Sequence, residues 1–315
     1  MTTGLDLPRA KFSNPHLTAK GETRARVTLA GLKTLWVNTG TLCNITCTHC
    51  YIESSPANDR LVYFTPADLA PFLEEVAVLS KQPIEIGFTG GEPFLNPHML
   101  ELAEMALSRG HRVLILTNAM RPMMLPRILA GLLALQGAYR GRLTLRVSLD
   151  HYGASQHDEE RGEGAYAATL KGVDWLAQAG FTLSLAGRTM WGGDEAQIRA
   201  GFANLIAARG WPVDARDPGQ LVLFPEMDEA VDVPEITDAC WGMLHVDPAT
   251  MMCASARMIV KRKGASAPVV VACTLLPYEP AFELGARLAE SLAPVSLNHR
   301  HCAKFCVLGG GSCSA

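Results

Sequence analysis

Strand-like and helix-like segments alternate six times between residues 34 and 230 of this 315-residue chain. Thr65, Pro66 and Asp68 form a capping-box pattern at the start of one helical segment, and Gly180 and Gly210 are placed to end two others. Each helix returns the chain for another parallel strand, so the rhythm predicts an α/β fold with a parallel sheet. That sheet is either doubly wound or a partial (β/α)6 barrel like the TIM fold.

The short motifs that could bind a ligand or take part in catalysis each follow a strand-like segment. Three cysteines follow the first, "TGGEP" the second, "TNA" the third, "SLD" the fourth and "GRT" the fifth. Parallel α/β folds bind substrates and cofactors at the carboxyl ends of their strands. The sequence therefore predicts one functional site built from these loops.

Cys43, Cys47 and Cys50 have the spacing Cys-x3-Cys-x2-Cys. Buried thiols and a zinc site are alternatives, but structural zinc needs four closed ligands and only three cysteines are local. Thiolates also hold iron–sulfur clusters. A [4Fe-4S] cluster on three thiolates keeps one iron open for a substrate or cofactor, which is the interpretation we favour.

Charge and hydropathy argue against several other classes of protein. The net charge of −3 and the pI of about 6.3 argue against nucleic acid or an anionic membrane as partner. The N-terminus has no apolar signal region, and no apolar run reaches the about 18 residues of a transmembrane helix. We expect a cytoplasmic protein, where an odd total of nine cysteines fits metal ligands better than disulfides.

Together these motifs resemble the radical S-adenosylmethionine (SAM) superfamily over roughly residues 34 to 230. "GGEP" is similar to the motif that receives the SAM amino group, "SLD" to the ribose-contacting motif, and "HDEERG" (157–162) to the "HD-x2-RG" segment of peptide-modifying and molybdenum-cofactor branches. Arg188 resembles the position that pairs with the SAM carboxylate, and Asn118 follows the third strand. The implied SAM-binding residues are Gly90, Gly91, Glu92, Pro93, Asn118, Ser148, Asp150 and Arg188.

The resemblance implies that Cys43, Cys47 and Cys50 hold the SAM-binding [4Fe-4S] cluster. One electron then splits SAM, and the resulting 5′-deoxyadenosyl radical removes a hydrogen atom from a small-molecule or peptide substrate. It also implies a flavodoxin- or ferredoxin-type electron donor. Peptide-modifying members often carry an N-terminal domain that binds the leader peptide of the substrate. Only 33 residues precede the first strand, too few for such a domain, so a peptide substrate is less expected. The alternative is a non-catalytic iron–sulfur electron carrier or cluster scaffold.

The C-terminal quarter holds the other six cysteines. A predicted hairpin around Lys263 and Gly264 has a cysteine at each end, and the tail resembles the SPASM and twitch auxiliary-cluster extensions. The implied ligands of one auxiliary [4Fe-4S] cluster come from Cys253, Cys273, Cys302, Cys306 and Cys313. A zinc ribbon is the alternative, and this hairpin with its glycine-rich tail should bury little apolar surface.

Two further side chains are candidate catalytic residues. Glu226 ends the sixth strand and should face the site, as a substrate contact or base. Cys240 is either a core thiol or a cavity group. The predicted organisation is an N-terminal surface arm (1–33), a radical SAM partial barrel (34–230) and a small auxiliary iron–sulfur domain (231–315).

Overall fold

The computed structural model describes residues 10–226 and 231–310. The strands within these ranges are β1 (Arg26–Val27), β2 (Thr34–Asn38), β3 (Glu85–Thr89), β4 (Arg112–Thr117), β5 (Leu143–Ser148), β6 (Thr182–Arg188), β7 (Leu221–Phe224), β8 (Ala256–Val260), β9 (Val269–Val271), β10 (Glu283–Gly285) and β11 (Val295–Ser296). The α-helices are α1 (Pro66–Leu79), α2 (Met99–Ser108), α3 (Pro126–Ala138), α4 (Ala154–Arg161), α5 (Ala165–Gln178), α6 (Glu195–Arg209) and α7 (Asp238–Leu244).

Strands β2 to β7 lie side by side in chain order, and every neighbouring pair is parallel. A doubly wound sheet would reverse its strand order part of the way along. Sequential right-handed crossovers instead place all the connecting helices on one face, so the sheet curves around its other face. The predicted partial (β/α)6 barrel is confirmed.

Helices α1, α2, α3, α5 and α6 cover the outer face of this sheet. Each contributes large side chains to one continuous apolar core, in which the buried residues include Phe72, Leu102, Leu132, Val173 and Phe202. The predicted capping box of α1 is present, with the Thr65 hydroxyl accepting from the Asp68 N–H and the Asp68 carboxylate accepting from the Thr65 N–H. This packing fixes the directions in which the strand ends project.

The predicted hairpin is confirmed as the antiparallel pair β8–β9. It does not stand apart from the barrel, because β8 also pairs in parallel with β2 and extends the same nine-stranded sheet. The Lys261 ammonium donates to the Asp68 carboxylate at 2.7 Å and ties the end of β8 to α1. The sheet therefore runs without a break from the barrel into the cysteine-rich segment.

The expectation that this segment buries little apolar surface is wrong. A second apolar cluster joins Trp36 and Leu114, from barrel strands, to Met252, Met258 and Phe305 of the C-terminal segment. Sequence patterning missed this core because its residues come from short strands and turns without periodicity. The segment has an apolar core of its own in addition to its cysteines.

The N-terminal arm is also more integrated than expected. β1 pairs with β11, and Arg24, Ala25 and Val27 are buried. The Arg24 guanidinium forms a buried ion pair with Glu235. Residues 24–27 thus belong to the C-terminal core. No helix in the described ranges is long and apolar enough to cross a bilayer.

Candidate functional site

A cavity lies at the carboxyl ends of the barrel strands, and we call it the rim cavity. Five successive strand ends contribute to its lining, with the predicted residues Cys43, Cys47, Cys50, Gly90, Gly91, Asn118, Ser148 and Arg188. The structure thus brings together the side chains that sequence patterning placed on separate loops. Arg161, Phe224 and Thr274 also line this cavity.

The two glycines of "GGEP" pack backbone to backbone against the cysteine loop. The Gly91 N–H donates to the Gly40 carbonyl at 2.9 Å, and a Cβ on Gly91 would lie 2.1 Å from the Leu42 carbonyl oxygen. Gly90 has a φ of +144°, which favours glycine. Any larger residue here would push the loop that carries Cys43 away from the strand ends.

Glu92 was predicted to bind the cofactor, but its side chain lies below the cavity floor with only 2% exposed. It accepts hydrogen bonds from Phe94 N at 3.2 Å, Thr117 Oγ1 at 2.8 Å and Asn118 N at 2.8 Å. Burial raises the pKa of Glu92 to about 7, although these donors oppose the shift. Glu92 therefore joins the β3 and β4 loops, and neither it nor the buried Pro93 lines the cavity.

Helix α4 carries the "HDEERG" segment, which the strand–helix pattern did not reveal. His157 Nδ1 accepts from the Asp150 N–H at 3.2 Å, and the Asp158 carboxylate accepts from the Gly164 and Tyr166 N–H groups at the start of α5.

Glu160, in the same segment, accepts from the His49 N–H at 2.9 Å and contacts the His49 ring at 2.8 Å. The segment thus fixes both the fourth-strand loop and the cysteine loop.

Asp150 was predicted to contact the SAM ribose, but both of its oxygens already have partners. Arg161 binds them at 2.6 Å and 3.0 Å, and Arg188 Nε lies 3.5 Å from Oδ1. Burial alone would raise the pKa of Asp150, but Arg161 and Arg188 hold it below its usual value. Arg188 also donates to the His49 carbonyl at 3.1 Å. Asp150 therefore orients two guanidinium groups beside the cysteines.

The chemistry of the lining fits an iron–sulfur cluster held by three thiolates. Burial raises the pKa of Cys43 to about 12 and that of Cys47 to about 11, so iron must displace their protons. Asn38 Nδ2 and Ser54 Oγ are buried without a hydrogen-bond partner, and both residues line the rim cavity. Buried polar atoms of this kind need a partner, which a bound group would supply.

A second space, the adjoining cavity, shares Cys50, Ser148, Arg161 and Arg188 with the rim cavity and extends outward from it. Glu226 lines it, as its position after the sixth strand predicted. Phe224 and Phe305 also line it and stack with ring centroids 5.7 Å apart, so the C-terminal segment packs against the end of β7. The two spaces adjoin each other through their shared residues.

Four of the predicted auxiliary ligands meet in a third space, the four-thiol cavity. It is lined by Cys253, Cys273, Cys302 and Cys306 together with apolar side chains such as Leu276. Cys302 and Cys306 belong to one π-helical segment, Cys302–Val307. Burial raises the pKa of Cys253 to about 11 and that of Cys302 to about 12. The fifth predicted ligand, Cys313, lies outside the described residues.

The spacing of these thiols also bears on the zinc alternatives. In residues 10–226 and 231–310, no three His, Cys, Asp or Glu side chains converge closely enough to bind one metal ion. Zinc holds its thiolates at about 2.3 Å and thus close together. A cube of iron and sulfide holds its thiolates farther apart than one zinc ion does, and metal analysis of the purified protein distinguishes the two.

Cys240 does not line any of the three cavities. It lies in the first turn of α7, where its Sγ accepts from the Thr237 N–H at 3.3 Å and contacts the Thr237 hydroxyl at 3.3 Å. Cys240 packs against the second apolar cluster, which fits the core-thiol alternative rather than a group that faces a cavity. Sequence offered no signal for α7, which is only seven residues long.

Comparisons with known proteins place the chain among relatives of diverse activity. It is 35% identical over 147 residues to the AdoMet-dependent heme synthase of Methanosarcina barkeri, covering 45% of this chain and 38% of that protein. It is 30% identical over 155 residues to the subtilosin biosynthesis protein AlbA of Bacillus subtilis, covering 47% and 32%. The aligned segments thus span about a third of the length of these curated relatives.

Solved structures share the fold at low sequence identity. SuiB of Streptococcus suis bound to S-adenosylmethionine superposes with a TM-score of 0.58 at 11% identity, covering 82% of this chain and 64% of SuiB. The model of the Radical SAM superfamily matches residues 37–200, slightly more than half of the chain. The matched range contains the three-cysteine loop and all of the strand-end motifs up to Arg188. The chain belongs to the radical SAM superfamily.

Proposed function

We propose that the chain binds a [4Fe-4S] cluster through Cys43, Cys47 and Cys50, binds SAM in the rim cavity, and removes a hydrogen atom from a substrate in the adjoining cavity. The observation that carries the proposal is the convergence of three thiols and four other strand-end loops on one cavity. Cluster and SAM, when bound, supply an electron and the 5′-deoxyadenosyl radical. An electron carrier would not need the additional strand-end groups.

The residues of the chain hold and orient the cofactor in this proposal. Gly90, Gly91 and Ser148 line the cavity; the two glycines would bind the amino group of SAM and Ser148 would contact its ribose. Arg188 is held by Glu160 at 3.3 Å, by Asp150 at 3.5 Å and by the His49 carbonyl, so its guanidinium has a fixed orientation for binding a carboxylate. A site that is already ordered loses less entropy when it binds.

A peptide or a small molecule is the proposed substrate, with a flavodoxin- or ferredoxin-type protein as electron donor. The adjoining cavity is open and carries Glu226, His49 and aromatic side chains, which can contact a polar chain and its side groups. One relative is named for bacteriocin biosynthesis, and SuiB has been solved with its precursor peptide SuiA. Another relative is named a heme synthase, which supports the small-molecule alternative.

A second [4Fe-4S] cluster in the four-thiol cavity completes the proposal. Cys253, Cys273, Cys302 and Cys306 provide the four thiolates that such a cluster needs. Cys313 is then a spare thiol, and Cys240 takes no part. The apolar lining of this cavity excludes water from the cluster, which is one of the factors that set its reduction potential.

The test of this function is SAM cleavage by the reconstituted protein under strict exclusion of oxygen. We expect 5′-deoxyadenosine and methionine to form when SAM and dithionite are added, and we expect the yield to rise with a suitable substrate. A protein that takes up electrons but leaves SAM intact would be an electron carrier instead.

Arg188→Ala should weaken SAM binding by about 1.5–3 kcal/mol, the value of a hydrogen bond to a charged group. Isothermal titration of the cluster-loaded protein with SAM measures this loss. Arg209→Ala is the matched control, because Arg209 forms a surface ion pair with Asp174 at 3.0 Å and lies outside the cavities. Equal SAM affinities of the two variants would show that Arg188 serves only the loop contacts.

A further inference from the structure

Arg257 is a buried cation beside the four-thiol cavity. It lies in β8 with only 1% of its surface exposed. Its Nη1 donates to the carbonyl oxygen of Cys253 at 2.7 Å and to that of Ala256 at 2.8 Å, and its Nε donates to the Ser291 carbonyl at 2.9 Å. Its Nη2 is buried without a hydrogen-bond partner.

The described residues offer Arg257 no carboxylate partner. Two other arginines whose side chains have little exposed surface each have one: Arg24 pairs with Glu235, and Arg161 pairs with Asp150. No ion pair of Arg257 exists in the described ranges, and carbonyl dipoles are its only hydrogen-bond acceptors there. A buried charge without a counter-ion is strongly unfavourable, so Arg257 needs an anion nearby.

The four-thiol cavity offers a place for the anion that Arg257 needs. Cys253 is a candidate cluster ligand, and its carbonyl oxygen is already bound by Arg257. An iron–sulfur cluster with four thiolates carries a net negative charge, which a guanidinium in this position would balance.

We propose that Arg257 is the counter-charge of the second cluster and sets its reduction potential. This inference rests on the proposed cluster in the four-thiol cavity. Reduction adds one negative charge to the cluster, so a fixed neighbouring cation stabilises the reduced form more than the oxidised form and raises the potential. Arg257 acts through the electrostatic field and the Cys253 backbone, and it is not itself a ligand.

The variants Arg257→Met and Arg257→Lys distinguish the effect of the charge on the reduction potential from the effect of the side-chain shape. Methionine removes the charge but keeps a long apolar side chain, whereas lysine keeps the charge and loses the fixed fork of donors. They should be made in the Cys43→Ala, Cys47→Ala, Cys50→Ala background, so that only the second cluster contributes to the signal. The midpoint potential is measured by redox titration with EPR detection.

We expect Arg257→Met to shift the ratio of reduced to oxidised cluster at a fixed potential at least tenfold toward the oxidised form, which is a fall of about 59 mV for one electron. Arg257→Lys should shift it much less. Equal shifts in both variants, or no shift in either, would overturn the role of Arg257 while leaving the cluster in place. A background protein that binds no iron would overturn the proposed second cluster itself.

Thermal unfolding gives a second readout that does not depend on the midpoint potential. We expect Arg257→Met to lower the Tm more in the iron-loaded chain than in the iron-depleted chain, because only the loaded chain gains from the cation. Arg257 would be a purely structural residue if both forms lost the same amount.

Discussion

Replacing Cys43, Cys47 and Cys50 together by alanine should abolish the formation of 5′-deoxyadenosine from SAM. The three thiols line one cavity beside Gly91 and Arg188, and no other thiol of the described residues lines that cavity. The expected loss is complete, since without the cluster no electron reaches SAM. Chromatography of the products after addition of dithionite measures it, and circular dichroism checks that the fold remains.

Cys240→Ala provides the matched control for this variant. It removes a thiol that contacts Thr237 and lies outside all three cavities, so SAM cleavage should stay near the level of the unmodified protein. If the triple variant still forms 5′-deoxyadenosine, then Cys43, Cys47 and Cys50 do not hold the catalytic cluster.

The anaerobically purified protein should contain about eight irons per chain, and the change Cys302→Ala with Cys306→Ala should reduce this to about four. In the proposed assignment, three thiolates in the rim cavity would hold one cluster and four in the four-thiol cavity would hold the other. The apolar core around Met252 and Phe305 should keep the segment folded in part, while the metal contributes further stability. Colorimetric iron analysis together with the unfolding midpoint measures both effects.

Other metal contents would contradict this account in recognisable ways. About four irons and one zinc in the unmodified protein would indicate a zinc ribbon in the C-terminal segment. About twelve irons would indicate a further cluster with incomplete thiolate ligation. Cys240→Ala again serves as the control, and its iron content should not change.

The strand order and the placement of the site could be predicted from sequence because both depend on local patterns. Apolar strands, capped helices and terminal glycines repeat along the barrel, and parallel strands bring their carboxyl ends to one edge. The loops with Cys43, Gly91, Ser148 and Arg188 therefore met as expected. Each of these residues could be assigned to the site from its position after a strand alone.

The features that could not be predicted from sequence depend on contacts between distant segments. The position of Glu92 below the cavity floor follows from its bonds to Thr117 and Asn118, which no local spacing reveals. Arg257 has the sequence appearance of an ordinary arginine in a strand, and only its burial beside Cys253 shows its unbalanced charge. The apolar core of the C-terminal segment escaped prediction for the same reason.

EPR spectroscopy of the reduced protein, with and without SAM, tests the central claim most directly. The variant Cys302→Ala, Cys306→Ala is suited to this measurement, because the cluster on Cys43, Cys47 and Cys50 would give the only signal. We predict a [4Fe-4S] signal whose shape changes when SAM is added and which Arg188→Ala makes less sensitive to SAM. A signal that SAM leaves unchanged at saturating concentration would contradict the claim that the cluster and SAM share the rim cavity.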